Sequence, residues 1–221
     1  MWDTAPATPM KKIPRVALLW LAALATAHGQ KFEVSPYYGW VRMSKDALGS
    51  VSPSNPQDKD TTFHNGHSYG ARLTLNTKGY YGHELTYSET FTTLSTGTQA
   101  DSTSPKLTYQ DKLKLRQITY NFLIYFMPRG ERWRPFITGG VEGVYAPNPN
   151  ISAWTGSTSR NYGLNYGGGL KIRLFPHALA RVDVRDSRNG KPYGLSGAQD
   201  APPPSGFLRQ IEASAGFAIG F

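Results

Sequence analysis

From Phe207 to Phe221 apolar and small or polar residues alternate with a period of two. One set of positions reads Phe207, Arg209, Ile211, Ala213, Ala215, Phe217, Ile219 and Phe221; the other reads Leu208, Gln210, Glu212, Ser214, Gly216, Ala218 and Gly220. A β-strand sends successive side chains to opposite faces, so this segment has one almost wholly apolar face and one of small or polar residues. The same period recurs upstream. Tyr162, Leu164, Tyr166, Leu170, Ile172 and Leu174 oppose Gly163, Asn165, Gly167, Gly169, Lys171 and Arg173. Ala180, Val182 and Val184 oppose Arg181, Asp183 and Arg185. Tyr69, Ala71, Leu73 and Leu75 oppose Ser68, Gly70, Arg72, Thr74 and Asn76. Ile118, Tyr120, Phe122 and Ile124 oppose Gln117, Thr119, Asn121 and a less regular Leu123. With 32–43, 81–91 and 134–145, eight strands are predicted, the only charge on an apolar face of 81–91 being Glu89.

The connections sort by length. Long polar segments (44–66, 93–111, 147–160, 188–206) alternate with short turns at Lys78-Gly79, 128–133 and Pro176-His177. Membrane barrels join their strands in this way, with short inner turns and long external loops. A Greek-key sandwich gives no reason for such segregation. Tyr80, Tyr81, Phe126, Trp133, Phe175 and Phe221 gather at the short-turn end, as an interfacial aromatic girdle does. Tyr145, Trp154 and Tyr162 fall toward the other end, as an outer girdle or as contacts for a partner. The predicted fold is all-β: an eight-stranded antiparallel up-and-down transmembrane barrel.

Residues 1–29 read differently. Lys11, Lys12 and Arg15 precede the apolar run Val16–Ala25, and Ala25-Thr26-Ala27 offers small residues for cleavage. This is the layout of a secretory signal peptide, and its run of about ten apolar residues is too short for a spanning helix. Residues 30–221 are then one exported domain. Met10 is an alternative start.

Composition changes the picture in three ways. The absence of cysteine excludes thiol nucleophiles, thiolate metal sites and disulfides. The mean hydropathy of −0.44 resembles that of a soluble protein, but alternating lipid-facing and lumen-facing residues average to such a value. The net charge of +9 comes without a basic helix or basic run, so it argues for anionic lipid headgroups rather than nucleic acid.

The chain resembles the small OmpA-like and OmpX-like outer-membrane barrels over residues 30–221. The resemblance rests on the leader, the eight alternating strands, the segment Tyr166-Gly167-Gly168-Gly169-Leu170-Lys171 followed by Arg181-Val182-Asp183-Val184-Arg185-Asp186, and the aromatic C-terminus. It implies placement in a bacterial-type outer membrane as a monomer among outer-membrane lipids. It also implies that Phe217, Ile219 and Phe221 form the segment read by the barrel-assembly machinery. The resemblance covers the barrel alone, without a peptidoglycan-binding domain, so no cell-wall anchoring through such a domain is expected.

The candidate functional residues are the charges on the polar faces: Glu33, Arg72, Glu84, Glu142, Lys171, Arg173, Arg181, Asp183, Arg185 and Glu212. Eight strands leave an interior just wide enough for side chains to fill, and a buried charge needs a partner. The expectation is therefore a packed lumen network, the alternative being a narrow, low-conductance pore with charged walls. A lipid-modifying enzyme is a further alternative, resting on His64, His67 and Ser68 with Asp58 and Asp60 upstream. Adjacent His67 and Ser68 point to opposite faces of a strand, which argues against their direct pairing. No catalytic, cofactor-binding or metal-binding residue is assigned, and no cofactor is expected. The expected role is non-enzymatic, in envelope structure or in surface interaction through the long loops. A soluble lipocalin-like barrel, with its apolar faces inside, stands as the structural alternative.

Overall fold

The computed structural model describes residues 32–221 apart from 47, 50, 52–60, 99–104, 106, 153, 155 and 196–206. The predicted leader, Asp58 and Asp60 lie outside the described residues. Nine strands and no helix are found among those residues: β1 (Phe32–Met43), β2 (Thr62–Phe63), β3 (Gly66–Thr77), β4 (Tyr81–Thr98), β5 (Leu107–Tyr125), β6 (Trp133–Ala146), β7 (Ser159–Phe175), β8 (Ala178–Asn189) and β9 (Leu208–Gly220). Eight of them pair antiparallel in the order β4-β3-β1-β9-β8-β7-β6-β5, and pairing of β4 with β5 closes the sheet on itself. The two-residue β2 pairs with β4 at Thr62↔Ser95 and Phe63↔Leu94, beyond the point where β3 ends, and so prolongs β3 after a break at His64 and Asn65.

Alternation sorts the side chains inside out. Val182, Val184, Phe217 and Ile219 are exposed on the outer wall, whereas Arg72, Lys171 and Arg181 are at most 1% exposed inside. A lipocalin-like arrangement requires the reverse and is overturned. Among the described residues Lys78 is the one non-glycine with positive φ, and with Gly79 (φ 45° and 76°) and Tyr80 it forms the three-residue hairpin loop between the paired Thr77 and Tyr81. The aromatic residues of the short-turn end, Tyr80, Tyr81, Phe126, Trp133, Phe175 and Phe221, are all exposed there.

Two departures from the sequence reading occur at the end with the long connections. The segment 93–111, expected as a loop, is largely strand, because β4 and β5 stay paired as far as Thr98↔Leu107. Its Thr, Ser, Leu and Tyr residues suit a pleated surface, and Leu94 and Leu113 of this ribbon are buried. Inside that same end lies an apolar cluster that includes Val41, Met43, Leu94, Leu115, Val144 and Leu208 from the strands and Leu48, Ile151, Tyr193 and Leu195 from the connections. Trp154 packs against this cluster and meets Tyr193 edge-on at 4.8 Å between ring centroids. It is therefore half-buried beneath the connections and not an outer girdle residue, whereas Tyr162 is 81% exposed on the outer wall.

Candidate functional site

The lumen is built in layers from residues of like parity on facing strands. Nearest the short turns, Lys171 of β7 is ion-paired with Glu33 of β1 and donates to the Tyr125 hydroxyl at 2.9 Å. Asn76 Nδ2 donates to Glu33 Oε1 at 2.7 Å. Arg134 donates to Asn76 Oδ1 at 3.3 Å and to the Gly79 carbonyl at 2.7 Å, and its guanidinium lies 3.5 Å from the Tyr125 ring centroid. Leu123 and Phe136 pack with Tyr125 here, which explains the apolar residue on the otherwise polar face of β5.

The next layer is a compact cluster of three arginines and two carboxylates. Arg181 binds Glu84 at 2.5 Å and Asp183 at 2.8 Å; Arg185 binds the same two carboxylates at 2.6 and 3.0 Å. Arg72 reaches Asp183 at 3.2 Å, Glu212 at 3.4 Å and the Ser214 hydroxyl at 2.9 Å, and stacks on Tyr37 at 3.5 Å. Thr74 donates to Glu84 at 2.9 Å. Small residues make room for this cluster. A Cβ on Gly169 would lie 2.8 Å from Phe136 Cζ and 2.5 Å from Asp183 Cβ, closer than carbon atoms approach, so the triple-glycine segment is a packing device.

Above the arginines the lumen is polar but less charged. Ser68 donates to Glu212 at 2.6 Å, Gln117 to Gln210 at 2.8 Å, and Ser88 to Gln117 at 3.2 Å. Glu142 is held by Ser187 at 2.9 Å and Asn189 at 2.8 Å, without a salt bridge among the described residues. A void of about 20 Å³ remains between Glu142, Arg185, Gln117 and Glu212, room for about one water molecule. The apolar cluster then fills the lumen toward the long connections.

Eight of the ten expected lumen charges are thus buried. Glu212 is half-buried but joined to Arg72. Arg173 is half-buried at the short-turn end and forms no ion pair among the described residues; the β7–β8 register shifts between Arg173 and Phe175, where regular inward alternation ends. The sequence reading missed Arg134 and the rings of Tyr37 and Tyr125. Parity along β6 and β1 was the available cue, since Arg134 shares its face with Phe136, and Tyr37 with Glu33.

The residues weighed for catalysis separate. His67 faces outward, stacked between Tyr38 and Phe91, while Ser68 faces inward onto Glu212. No group of three or more metal-ligating side chains occurs among the described residues. Glu89 does lie on the outer wall, where it accepts from Tyr69 at 2.7 Å, Tyr87 at 3.1 Å and Lys114 at 3.1 Å.

No protein-family model matches the chain, and no curated protein matches it significantly. Solved structures do. The outer membrane protein OprG from Pseudomonas aeruginosa superposes with a TM-score of 0.62 at 15% identity, over 87% of this chain and 96% of that one. The N-terminal β-barrel domain of Pseudomonas aeruginosa OprF gives 0.51 at 14% identity, over 88% and 100%. The outer membrane protein AlkL in lipid bilayers gives 0.50 at 12% identity, over 100% and 97%. With its closed antiparallel sheet, outward apolar faces and charged interior, the chain has the fold of the small eight-stranded outer-membrane β-barrels.

Proposed function

We propose that this protein is a monomeric barrel of a bacterial-type outer membrane, exported through its leader, whose lumen is a structural plug rather than a conduit. Its role is non-enzymatic: it contributes to the envelope and presents its long connections outside for surface contacts. The observation that carries this reading is the arginine–carboxylate cluster of Arg72, Glu84, Arg181, Asp183 and Arg185, which ties β3, β4 and β8 together across the lumen. A void of about 20 Å³ lies above it, between Glu142, Arg185, Gln117 and Glu212. Outer-membrane lipids cover the apolar wall, and the exposed Phe217, Ile219 and Phe221 of the last strand serve the barrel-assembly machinery.

Membrane fractionation and planar-bilayer recording test this together. The expected result is a membrane-bound protein whose gel mobility shifts on boiling and which gives no stable conductance steps. A soluble protein overturns the placement; discrete steps overturn the plug. The small-pore alternative draws support from the polar void beside Glu142 and would show as cation-selective steps of low conductance.

A further inference from the structure

The outer wall of the barrel is not uniformly bulky. Midway along β6, between the bulkier Ile137 and Tyr145, the outward positions are Gly139, Val141 and Gly143, while their cross-strand neighbours are large. Gly143 lies between Ile118 of β5 and Tyr162 of β7, Val141 between Tyr120 and Leu164, and Gly139 between Phe122 and Tyr166. A stretch of small residues flanked by two strands of large ones makes a furrow, and its upper part is an open depression of about 920 Å³. A methyl group on Gly143 would come within 3.7 Å of the Tyr162 ring, so the floor is open and the tyrosine forms one wall. On the other wall, the Tyr120 hydroxyl pairs with His83 Nδ1 at 2.8 Å, toward β4 and away from the furrow.

The furrow has a charged mouth. One residue pair further toward the long connections, Tyr145 is flanked by Arg116 on β5 and Arg160 on β7. Both arginines point outward and are exposed. Strands lie about 4.8 Å apart, so the two backbones are separated by roughly 10 Å, within joint reach of two long side chains over Tyr145. Arg116 Nε stands 3.8 Å from Glu89, a carboxylate already bound at 3.1 Å by Lys114, so that group keeps a surplus positive charge. Arg160 forms no ion pair among the described residues. Arginine forks match phosphate oxygens two at a time, and a positively charged mouth above an apolar slot is complementary to a phosphate carried on an acyl lipid.

We propose that this furrow is a lipid-binding site, in which one acyl chain lies along Gly139, Val141 and Gly143 while Arg116 and Arg160 clamp the phosphate of its headgroup. Because the mouth is at the end with the long connections, which in membrane barrels faces outside, the occupant is a phosphorylated glycolipid of the outer leaflet. The inference rests on the membrane placement proposed above but not on the state of the lumen.

The test is native mass spectrometry of the full chain, folded in detergent and titrated with diphosphorylated lipid A. One adduct is expected to survive activation on the unsubstituted protein. Arg116→Gln with Arg160→Gln should weaken it at least tenfold. Gly143→Leu, which fills the slot and leaves both charges, should weaken it by a similar factor. Dephosphorylated lipid A should be held at least tenfold less well, and Arg42→Gln, an outward cation at the same end of β1, should change nothing. Each variant is first shown to shift on boiling; if the double variant fails to fold, Arg160→Gln alone is expected to weaken the adduct three- to fivefold. Equal retention by the arginine variants, equal loss in Arg42→Gln, or equally tight phosphatidylglycerol overturns the proposal. A soluble protein sinks the membrane placement instead, so the two failures are distinguishable.

Discussion

Glu84 and Arg181 meet across the lumen at 2.5 Å, although 97 residues separate them, and both side chains are fully buried. Glu84 also binds Arg185 at 2.6 Å, so one carboxylate compensates two guanidiniums that cannot deprotonate. Glu84→Gln leaves three arginines facing Asp183 and the more exposed Glu212. Removing one partner of such a cluster is strongly destabilising, about 3–5 kcal/mol. Urea unfolding of the barrel in lipid vesicles, followed by tryptophan fluorescence, should show a midpoint shifted well below that of the unsubstituted protein.

If the cluster is the plug, thinning it should open a path. Arg72→Ala, Arg181→Ala and Arg185→Ala together, combined with Glu84→Ala and Asp183→Ala so that the lumen loses only one net charge, should yield discrete conductance steps in planar bilayers where the unsubstituted protein gives none. A folded quintuple variant without steps would place the barrier in the apolar cluster around Leu115, Val144 and Leu208 instead.

Two glycines on neighbouring strands should respond oppositely to the same substitution. At Gly169 an added methyl group would press on Phe136 and Asp183, whereas at Gly139 the nearest atom would be 3.9 Å away. Overpacking a filled interior costs about 1–3 kcal/mol. Gly169→Ala should therefore lose stability by that order, while Gly139→Ala should be neutral or slightly stabilised, as read by the temperature at which the boiling-sensitive gel band disappears.

Tyr193 lies in the connection after β8, buried against the apolar cluster, and donates to the Pro147 carbonyl at 2.7 Å. Burial first, and the nearby Asp111 carboxylate second, raise its phenol above the ordinary value of 10.0. A raised acid binds its proton more tightly in the packed state than in the unpacked one. Its contribution is thus complete below pH 10 and is lost as pH rises from there toward the folded value. Absorbance titration near 295 nm should place Tyr193 among the tyrosines that ionise after the exposed ones, and limited proteolysis of the connection should accelerate only above pH 10. Tyr193→Phe should shrink the late titration step by one tyrosine.

Phe221 closes the seam between first and last strands: its amide donates to the Phe32 carbonyl at 2.8 Å, and the Phe32 amide returns the bond at 3.4 Å. If the terminal aromatic residues act as an assembly segment, deleting Phe221 should lower the amount assembled in cells severalfold while refolding of purified protein into detergent changes little. An equal defect in both settings would mean that Phe221 matters only as part of the seam.

The architecture was legible because a period of two survives in every long strand, and because turn chemistry such as Lys78-Gly79 is local. Charges such as Arg181 and Asp183 could be assigned to the interior from parity alone. Their partners could not, since which strands face each other across the lumen depends on closure and tilt. The same limit explains Trp154, whose position is set by connections folding back over the barrel mouth and not by any periodic pattern. It also explains Glu89. On its own strand only Tyr87 accommodates it, and the pairing with β3 and β5 supplies Tyr69 and Lys114. The furrow on β6 was hidden for a related reason: Gly139 and Gly143 acquire meaning only from the large residues opposite them on two other strands.

The charge pairs of the lumen have a kinetic consequence. Glu33–Lys171, Glu84–Arg181 and Arg72–Glu212 each join strands far apart in the chain, and none lies within a single hairpin. An open sheet of four or five strands entering a bilayer would hold Glu33, Lys171, Glu84 and Arg72 without these cross-lumen partners, even though Asp183 can still meet Arg181 and Arg185 along β8, in a setting that penalises each lone charge. Partial insertion therefore has no resting place. The strands must keep their inner faces wet until nearly the whole ring is assembled, and then expel water and marry the charges in one cooperative event.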